Sequence, residues 1–324
     1  MSQSDNDGPG AAGPVEAAVL ADLAGSEGGL AVDTSAEGLR ILRGGRGAPD
    51  AETVVLLAGR GHAASVWFPC WAGLAARRRL LAIDLPGFGG SPMPVGAARV
   101  VGAEDALRAF ADPVERCLAA EQARGRAPGG FALVGHSLGG LVALELALRG
   151  RLPIRRLAII DGMGLGPRMT FVSRLFFRLH PERLARWLGA GLFGRINPAP
   201  PTPVGRRIAA LEYELLTGAA SSPARVAAAR AFDRLCPWVG PVFHRQAPPG
   251  AADGRLPTPA LLLWGERDAA LPVANAIAAR DRWPAATLLT FPTGHSPHLE
   301  APEAILPPLL QFLSSFLVTA VAGG

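Results

Sequence analysis

The sequence predicts an α/β protein: a doubly wound, mostly parallel, eight-stranded sheet with an inserted helical cap. Three observations carry this reading. Short, turn-bounded apolar runs recur along the chain, and from Thr53 onward they tend to be apolar throughout, as strands covered on both faces must be. Helical segments follow several of them, the alternation expected of a doubly wound sheet whose ligands sit at the carboxyl ends of its strands. Between Gly162 and Pro257 the strand pattern stops and helical, Arg-rich stretches take over.

Taken in order, residues 1–14 are rich in Gly, Ser, Asp and Pro and read as a disordered tail, after which VEAAVLADLA reads as a short helix. The strand runs are LAVDTS from Leu30, LRILRG from Leu39, TVVLLAG from Thr53, RLLAIDLP from Arg79 and FALVGHS from Phe131. LAIIDG from Leu157, ALLLWG from Ala260 and TLLTFP from Thr287 complete the eight. The cap stretches are RMTFVSRLFFRLH, PERLARWLGAGLF, GRRIAALEYELLTG and SPARVAAARAFDRL, with NPAPPTPVG and QAPPGAADGRLPTP as linkers. The expected organisation is therefore a tail (1–14), a core in two parts (15–161 and 258–324) and a cap insertion (162–257). ILPPLLQFLSSFLVTAVA, 305–322, is interrupted by Pro307, Pro308, Gln311, Ser314 and Ser315, so a packed C-terminal helix is expected rather than a membrane span.

Composition narrows the function. All 32 basic residues are arginine, which excludes a Schiff-base lysine, a P-loop lysine and a Ser-Lys dyad. The net charge of +5 comes without a dense basic block, so nucleic acid is not an expected partner. Cys70, Cys117 and Cys236 lack disulfide or metal-ligand spacing and read as free thiols of a reducing compartment. The first residues lack the basic and apolar regions of a signal peptide, and the expected location is cytoplasmic. Oligomeric state is not legible.

The strongest local signal is Gly135-His136-Ser137-Leu138-Gly139, which follows a buried strand and opens a helix. A serine on so sharp a turn needs glycines beside it, and the helix that follows aims its N-terminal dipole at developing negative charge. Ser137 is the expected nucleophile. Its hydroxyl needs a base, and His295, in the loop after the last strand, has the position for it. His298 lies closer to the following helix, with a packing or capping role. His136 must point its ring away from the serine, His62 follows the first Gly-rich turn, and His180 and His244 belong to the cap. The acid should lie between nucleophile and histidine at a strand end: Asp268 fits, with Asp161 and Glu266 as rivals.

From about Thr53 to Phe316 the chain resembles the α/β-hydrolase superfamily, in particular its cap-bearing esterase and C-C hydrolase branch, through DLPGFGGS from Asp84, VGHSLGG from Val134, WGERDAALPV from Trp264 and GHSPHLEAPE from Gly294. The resemblance implies the α/β-hydrolase fold and a Ser-His-Asp mechanism with no metal and no organic cofactor. It makes Asp84 structural. Similar proteins carry His-Gly in the turn after the strand at Thr53, whereas this chain has Ala58-Gly59-Arg60-Gly61. That turn should supply one N–H of an oxyanion hole, from Arg60, with the second from Leu138. The departure removes the histidine that braces this turn in similar proteins. The Arg60 side chain is expected to point to solvent, the alternative being a guanidinium at the pocket mouth that favours an acidic substrate.

In the first cap stretch Phe171, Leu175 and Phe176 lie among Arg168, Arg174 and Arg178. The apolar stripe is expected to pack on the body of the protein, with contact to a lipid surface as the sharper alternative. The expected activity is cleavage of a fairly apolar small-molecule ester, or a related acyl bond, through an acyl-enzyme. A C-C bond hydrolase, a thioesterase, a cofactor-free perhydrolase and a non-catalytic ligand-binding protein on the same fold are the alternatives.

Overall fold

All eight expected strands form, in one sheet of order β1-β2-β4-β3-β5-β6-β7-β8. The computed structural model describes residues 12–48, 50–94, 100–196, 200–218, 222–245, 258–283 and 285–314. The chain opens with helix α1 (Pro14–Gly25), strands β1 (Ala31–Thr34), β2 (Arg40–Gly44) and β3 (Thr53–Leu57), a short 3-10 turn (Ala64–Trp67) and helix α2 (Phe68–Ala75). Strand β4 (Arg79–Ile83), helix α3 (Ala103–Ala123), β5 (Phe131–His136), α4 (Leu138–Arg149) and β6 (Ile154–Ile160) follow. Four helices come next, α5 (Phe171–Arg178), α6 (Pro181–Ile196), α7 (Pro203–Gly218) and α8 (Pro223–Leu235), one for each cap stretch. The chain returns to the sheet with β7 (Ala260–Gly265), α9 (Ala274–Arg282), β8 (Thr287–Phe291), α10 (Pro297–Glu300) and α11 (Pro302–Ser314). Most of the expected tail, residues 197–199 of the first linker, most of the second linker and the last part of the C-terminal apolar run lie outside the described residues.

Only β1–β2 and β2–β4 pair antiparallel; the pairs from β4 to β8 are parallel. Burial follows the pleat. Val55, Leu57, Leu133, Leu157 and Ile159 join one apolar cluster with α3, α4 and α9, while Val54, Leu56, Val134, Ala158 and Ile160 join another with α1, α2 and α11. Each such side chain removed from water contributes about 1.5–3 kcal/mol, which is why the central strands carry no polar face. β8 departs from that rule. It is an edge strand with most of its residues exposed, because the sheet ends there and less of its surface is covered. α11 buries Ile305, Leu309 and Leu313 against the second cluster, and no helix among the described residues is long and apolar enough to cross a membrane.

Two polar ties set the edge of the sheet near the site. Asp84, fully buried after β4, accepts from Arg40 Nε at 2.5 Å, from the Ala64 N–H at 2.5 Å and from the Gly90 N–H at 2.7 Å. Arg40 in turn reaches Glu16 of α1 at 2.6 Å. The carboxylate thus fixes the start of the 3-10 turn and the loop after β4 together.

At the end of β5 the backbone turns through φ 52°, ψ −115° at Ser137 before α4 begins. The turn closes only because its neighbours lack side chains. A Cβ on Gly135 would lie 2.3 Å from the Gly139 carbonyl oxygen, and one on Gly139 would lie 2.2 Å from that of Leu57. Gly139→Ala should therefore lower unfolding free energy by about 1–3 kcal/mol through overpacking. Gly191→Ala, with nothing within 4 Å of its Cβ, should not be destabilising. Denaturant titration of the two variants checks this; equal midpoints would contradict it.

Candidate active site

The turn at Ser137 lifts its side chain above the carboxyl edge of the sheet at its centre, between β3 and β6. There His295, in the loop between β8 and α10, places Nε2 3.1 Å from Ser137 Oγ. On the other side of the ring Nδ1 lies 2.8 Å from Asp268 Oδ2, after β7. The structure thus brings together the three residues singled out for nucleophile, base and acid. Asp268 is itself held: its Oδ1 accepts from the Ala270 N–H at 2.6 Å and from the Leu271 N–H at 2.9 Å. Glu300 of α10 accepts from the Gly294 N–H at 2.7 Å and the Ser296 N–H at 3.1 Å, clamping the backbone on both sides of His295.

Of the rival acids, Glu266 accepts from Thr290 on the exposed rim and does not approach the histidine. Asp161 is fully buried directly behind Asp268, accepting from the Gly265 N–H at 2.9 Å. Ligand atoms of Asp161, Asp268 and His295 lie within 4.8 Å of one another. A cation there would have to displace the His295–Asp268 hydrogen bond, so the trio is already committed. Burial, then the neighbouring Asp268 carboxylate and the hydrogen bond between them, push Asp161 well above the usual carboxylate range. Asp161 therefore favours its neutral form, in which it donates to Asp268. Burial alone would raise Asp268 too, but the charge and hydrogen bond of His295, the bond from Asp161 and the Leu271 N–H outweigh it and hold it low. For His295 burial disfavours the cation; Asp268 first, then Glu300 and Glu212, overcome this and raise it above its ordinary value.

His298 and His136 take no part as bases. His298 is buried on α10 with its ring 4.6 Å from that of Trp67, and His136 turns its Nε2 to the His295 carbonyl at 2.9 Å. Burial holds both well below the usual histidine value, with neighbouring histidines adding to it, and both are neutral.

The turn after β3 lies against Ser137. A Cβ on Gly59 would meet His136 Nδ1 at 2.9 Å and Ser137 Cβ at 3.2 Å, so only a glycine lets this backbone come so close. Among the described residues neither the Arg60 N–H nor the Leu138 N–H donates to any acceptor. The Arg60 side chain corrects the sequence expectation. It does not point to solvent: it turns into the cap, where its guanidinium pairs with Glu182 of α6 at 2.7 Å, both side chains nearly inaccessible. It stands over Phe177 and Phe232, at 5.3 and 5.2 Å from their ring centroids. With its charge matched by Glu182, it does not offer a free cation to an acidic substrate. Arg225 of α8, also buried, donates to the Gly61 carbonyl at 3.3 Å and to that of Leu215 at 3.1 Å. The cap thus grips the turn that lacks the usual histidine. Glu182, Arg225 and His136 were not singled out for this because each acts on a segment distant in sequence.

A cavity of about 350 Å³ lies over Ser137, walled by Phe176, Phe177, Phe193, Ile208, Leu216 and Leu299. Its polar features besides the serine and histidine include His62, whose Nε2 lies 3.2 Å from Glu212 of α7.

Comparison with known proteins gives the family and the fold. Residues 54–307 match the family described as "Alpha/beta hydrolase family". The chain is 27% identical over 290 residues to the dihydrolipoyllysine-residue acetyltransferase component of an acetoin cleaving system from Pseudomonas putida, covering 85% of this chain and 67% of that one. It is 27% identical over 277 residues to a pimeloyl-[acyl-carrier protein] methyl ester esterase from Nitrosomonas europaea, covering 81% of this chain and 93% of the other. The crystal structure of a membrane phospholipase A, a bacterial virulence factor, superimposes with a TM-score of 0.66 and 25% identity over 92% of this chain and 91% of that one.

The sign of the His295 shift gives a direct check. Because Asp268 favours the imidazolium, proton NMR should titrate His295 above its ordinary value of 6.5. In Asp268→Asn the opposing effect of burial is left largely unopposed, and the same resonance should titrate below the wild-type value. An unchanged titration in that variant would contradict the pairing.

Proposed function

The chain belongs to the alpha/beta hydrolase family, and from that premise we propose that it is a serine hydrolase that cleaves the ester, or a related acyl bond, of a fairly apolar small molecule through an acyl-enzyme. The observation that carries the reading is the continuous Ser137–His295–Asp268 contact, at 3.1 and 2.8 Å, beneath an apolar cavity. Ser137 Oγ attacks the carbonyl carbon while its proton passes to His295 Nε2, and Asp268 holds the ring in the tautomer that leaves Nε2 free to accept. The Arg60 and Leu138 N–H groups donate to the oxyanion. Collapse of the tetrahedral adduct expels the alcohol, which takes the proton back from His295. Water then gives a proton to His295 and attacks the acyl carbon, releasing the acid and restoring Ser137.

The cavity falls in the size range of small-molecule sites, and its aromatic and aliphatic wall suits an acyl or alkyl group rather than a charged one. The esterase among the relatives supports an ester, since it is a methyl ester esterase. The altered turn does not deprive the reaction of its oxyanion donor, because that donor is backbone. The Arg60–Glu182 pair and the Arg225–Gly61 contact supply the bracing from the cap side.

A burst of p-nitrophenol from short-chain p-nitrophenyl esters, followed by a slower steady state, tests the acyl-enzyme; a product profile in which no acid is released contradicts ester hydrolysis. Within that assay Asp268→Asn should cut kcat about 10⁴-fold. Asp161→Asn, which replaces a largely neutral acid by a neutral amide, should stay within about tenfold of wild type. Glu182→Gln should lower kcat by about 100-fold with little change in KM, as expected when an oxyanion donor is displaced. A loss near 10⁴-fold for Asp161→Asn with Asp268→Asn spared would move the role of the acid to Asp161.

A further inference from the structure

The cap helices that wall the cavity carry an outward surface that the rest of the chain does not cover. On α5, Phe171, Val172 and Leu179 just after it are 65%, 70% and 52% exposed, and of that helix only Ser173 is buried. The expected packing of this stripe on the body of the protein is thus corrected: Phe176 turns toward the cavity, while Phe171 and Leu175 face out. α5 is anchored at its start by Ser173 Oγ donating to the Ala269 carbonyl at 2.8 Å and on its inner side by Phe177, whose ring lies 5.0 Å from that of Phe232, which leaves Phe171 and Leu175 on the far side. Trp187 on α6 is 81% exposed. Trp238, with its ring 5.4 Å from that of Phe171, is 43% exposed.

The charge beside these side chains has one sign. α5 and α6 carry Arg174, Arg178, Arg183, Arg186 and Arg195 against one acid, Glu182, and that acid is buried on Arg60. Arg178, Arg183, Arg186 and Arg195 are exposed and form no ion pair among the described residues. Aromatic and aliphatic side chains interleaved with unpaired arginines match one kind of surface closely: a bilayer interface with negative headgroups, where the guanidinium groups meet phosphates and the rings settle at the acyl boundary. The way to Ser137 lies alongside, since Val172, Ser173 and Phe176 line the cavity from α5.

We propose that the outward side of α5 and α6 docks on an anionic lipid surface, presenting the cavity to amphiphilic esters held in that surface. The docking stands on the exposed side chains alone; only the passage of an ester to Ser137 rests on the serine hydrolase reading.

The test is sedimentation of the full chain carrying Ser137→Ala, so that hydrolysis cannot alter the lipid, with phosphatidylcholine vesicles containing or lacking phosphatidylglycerol. The chain should bind the phosphatidylglycerol vesicles, bind the neutral ones much less, and be released by salt. Each arginine near such a surface is worth about fivefold in affinity, so Arg183→Glu with Arg186→Glu should weaken binding by about 30-fold or more. Arg77→Glu, exposed just before β4 at the opposite end of the parallel strands, should leave binding unchanged. Thermal unfolding of each variant at the wild-type temperature keeps loss of fold apart from loss of docking. Equal binding to both vesicles, binding to neither, or retention by the double variant overturns the proposal. A stable dimer without lipid that Trp187→Ser dissolves would assign the face to a second copy instead. Because binding is read on a chain without the serine, failure of the hydrolase reading would leave the docking result intact.

Discussion

The backbone of Ser137 stands at φ 52°, ψ −115°, a conformation an L-residue holds only where its surroundings enforce it. The rest of the site follows from that constraint. To hold it, Gly135 and Gly139 must meet with no side chain between them, and the start of α4 must press on the end of β3. That packing brings the turn after β3 against the serine and puts the first N–H of α4 beside it. The Gly140, Leu141 and Met163 N–H groups donate to the Ser137 carbonyl, so the turn is tied both to α4 and to the segment after β6. Strain of order 1–3 kcal/mol is held at one residue by contacts spread over three elements.

The second dependence runs from the cap inward. Arg60 and Arg225 carry buried positive charge between the core and the insert, and Glu182 is the acid that meets Arg60. A buried pair of this kind adds little net stability, but losing one partner leaves a bare charge inside the protein. The cap is therefore not free to swing away from the turn at Arg60 without separating that pair and baring Phe177 and Phe232. The insert thus both walls the cavity and holds the turn at Arg60. The same helices turn apolar and cationic side chains outward, on the side away from the Arg60–Glu182 pair.

Much of this was legible in the sequence. The β-branched and leucine-rich runs located every strand, most directly the buried parallel strands β3 to β7, which leave few other residues that fit. The glycines around Ser137 disclosed the turn, and chain order singled out Asp268 and His295. What was not legible depends on contacts between distant segments. The direction of the Arg60 side chain is set by Glu182 on a helix far along the chain, and nothing near Arg60 announces it. Asp161 and Asp268 both end buried strands, and only their geometry shows that one touches the histidine while the other stands behind it. The periodicity of α5 shows a stripe but not which side is covered: Phe176 turns inward beside Phe177, which packs on Phe232, while Phe171 and Leu175 stay exposed.

The central claim is that Ser137 is an activated nucleophile, and its most direct test is reaction of the purified chain with a fluorophosphonate probe followed by mass mapping of the adduct. The account predicts a single adduct on Ser137, formed faster as pH rises and His295 loses its proton, and absent from Ser137→Ala. A folded, monodisperse chain that takes up no label, or takes it up elsewhere, would contradict it.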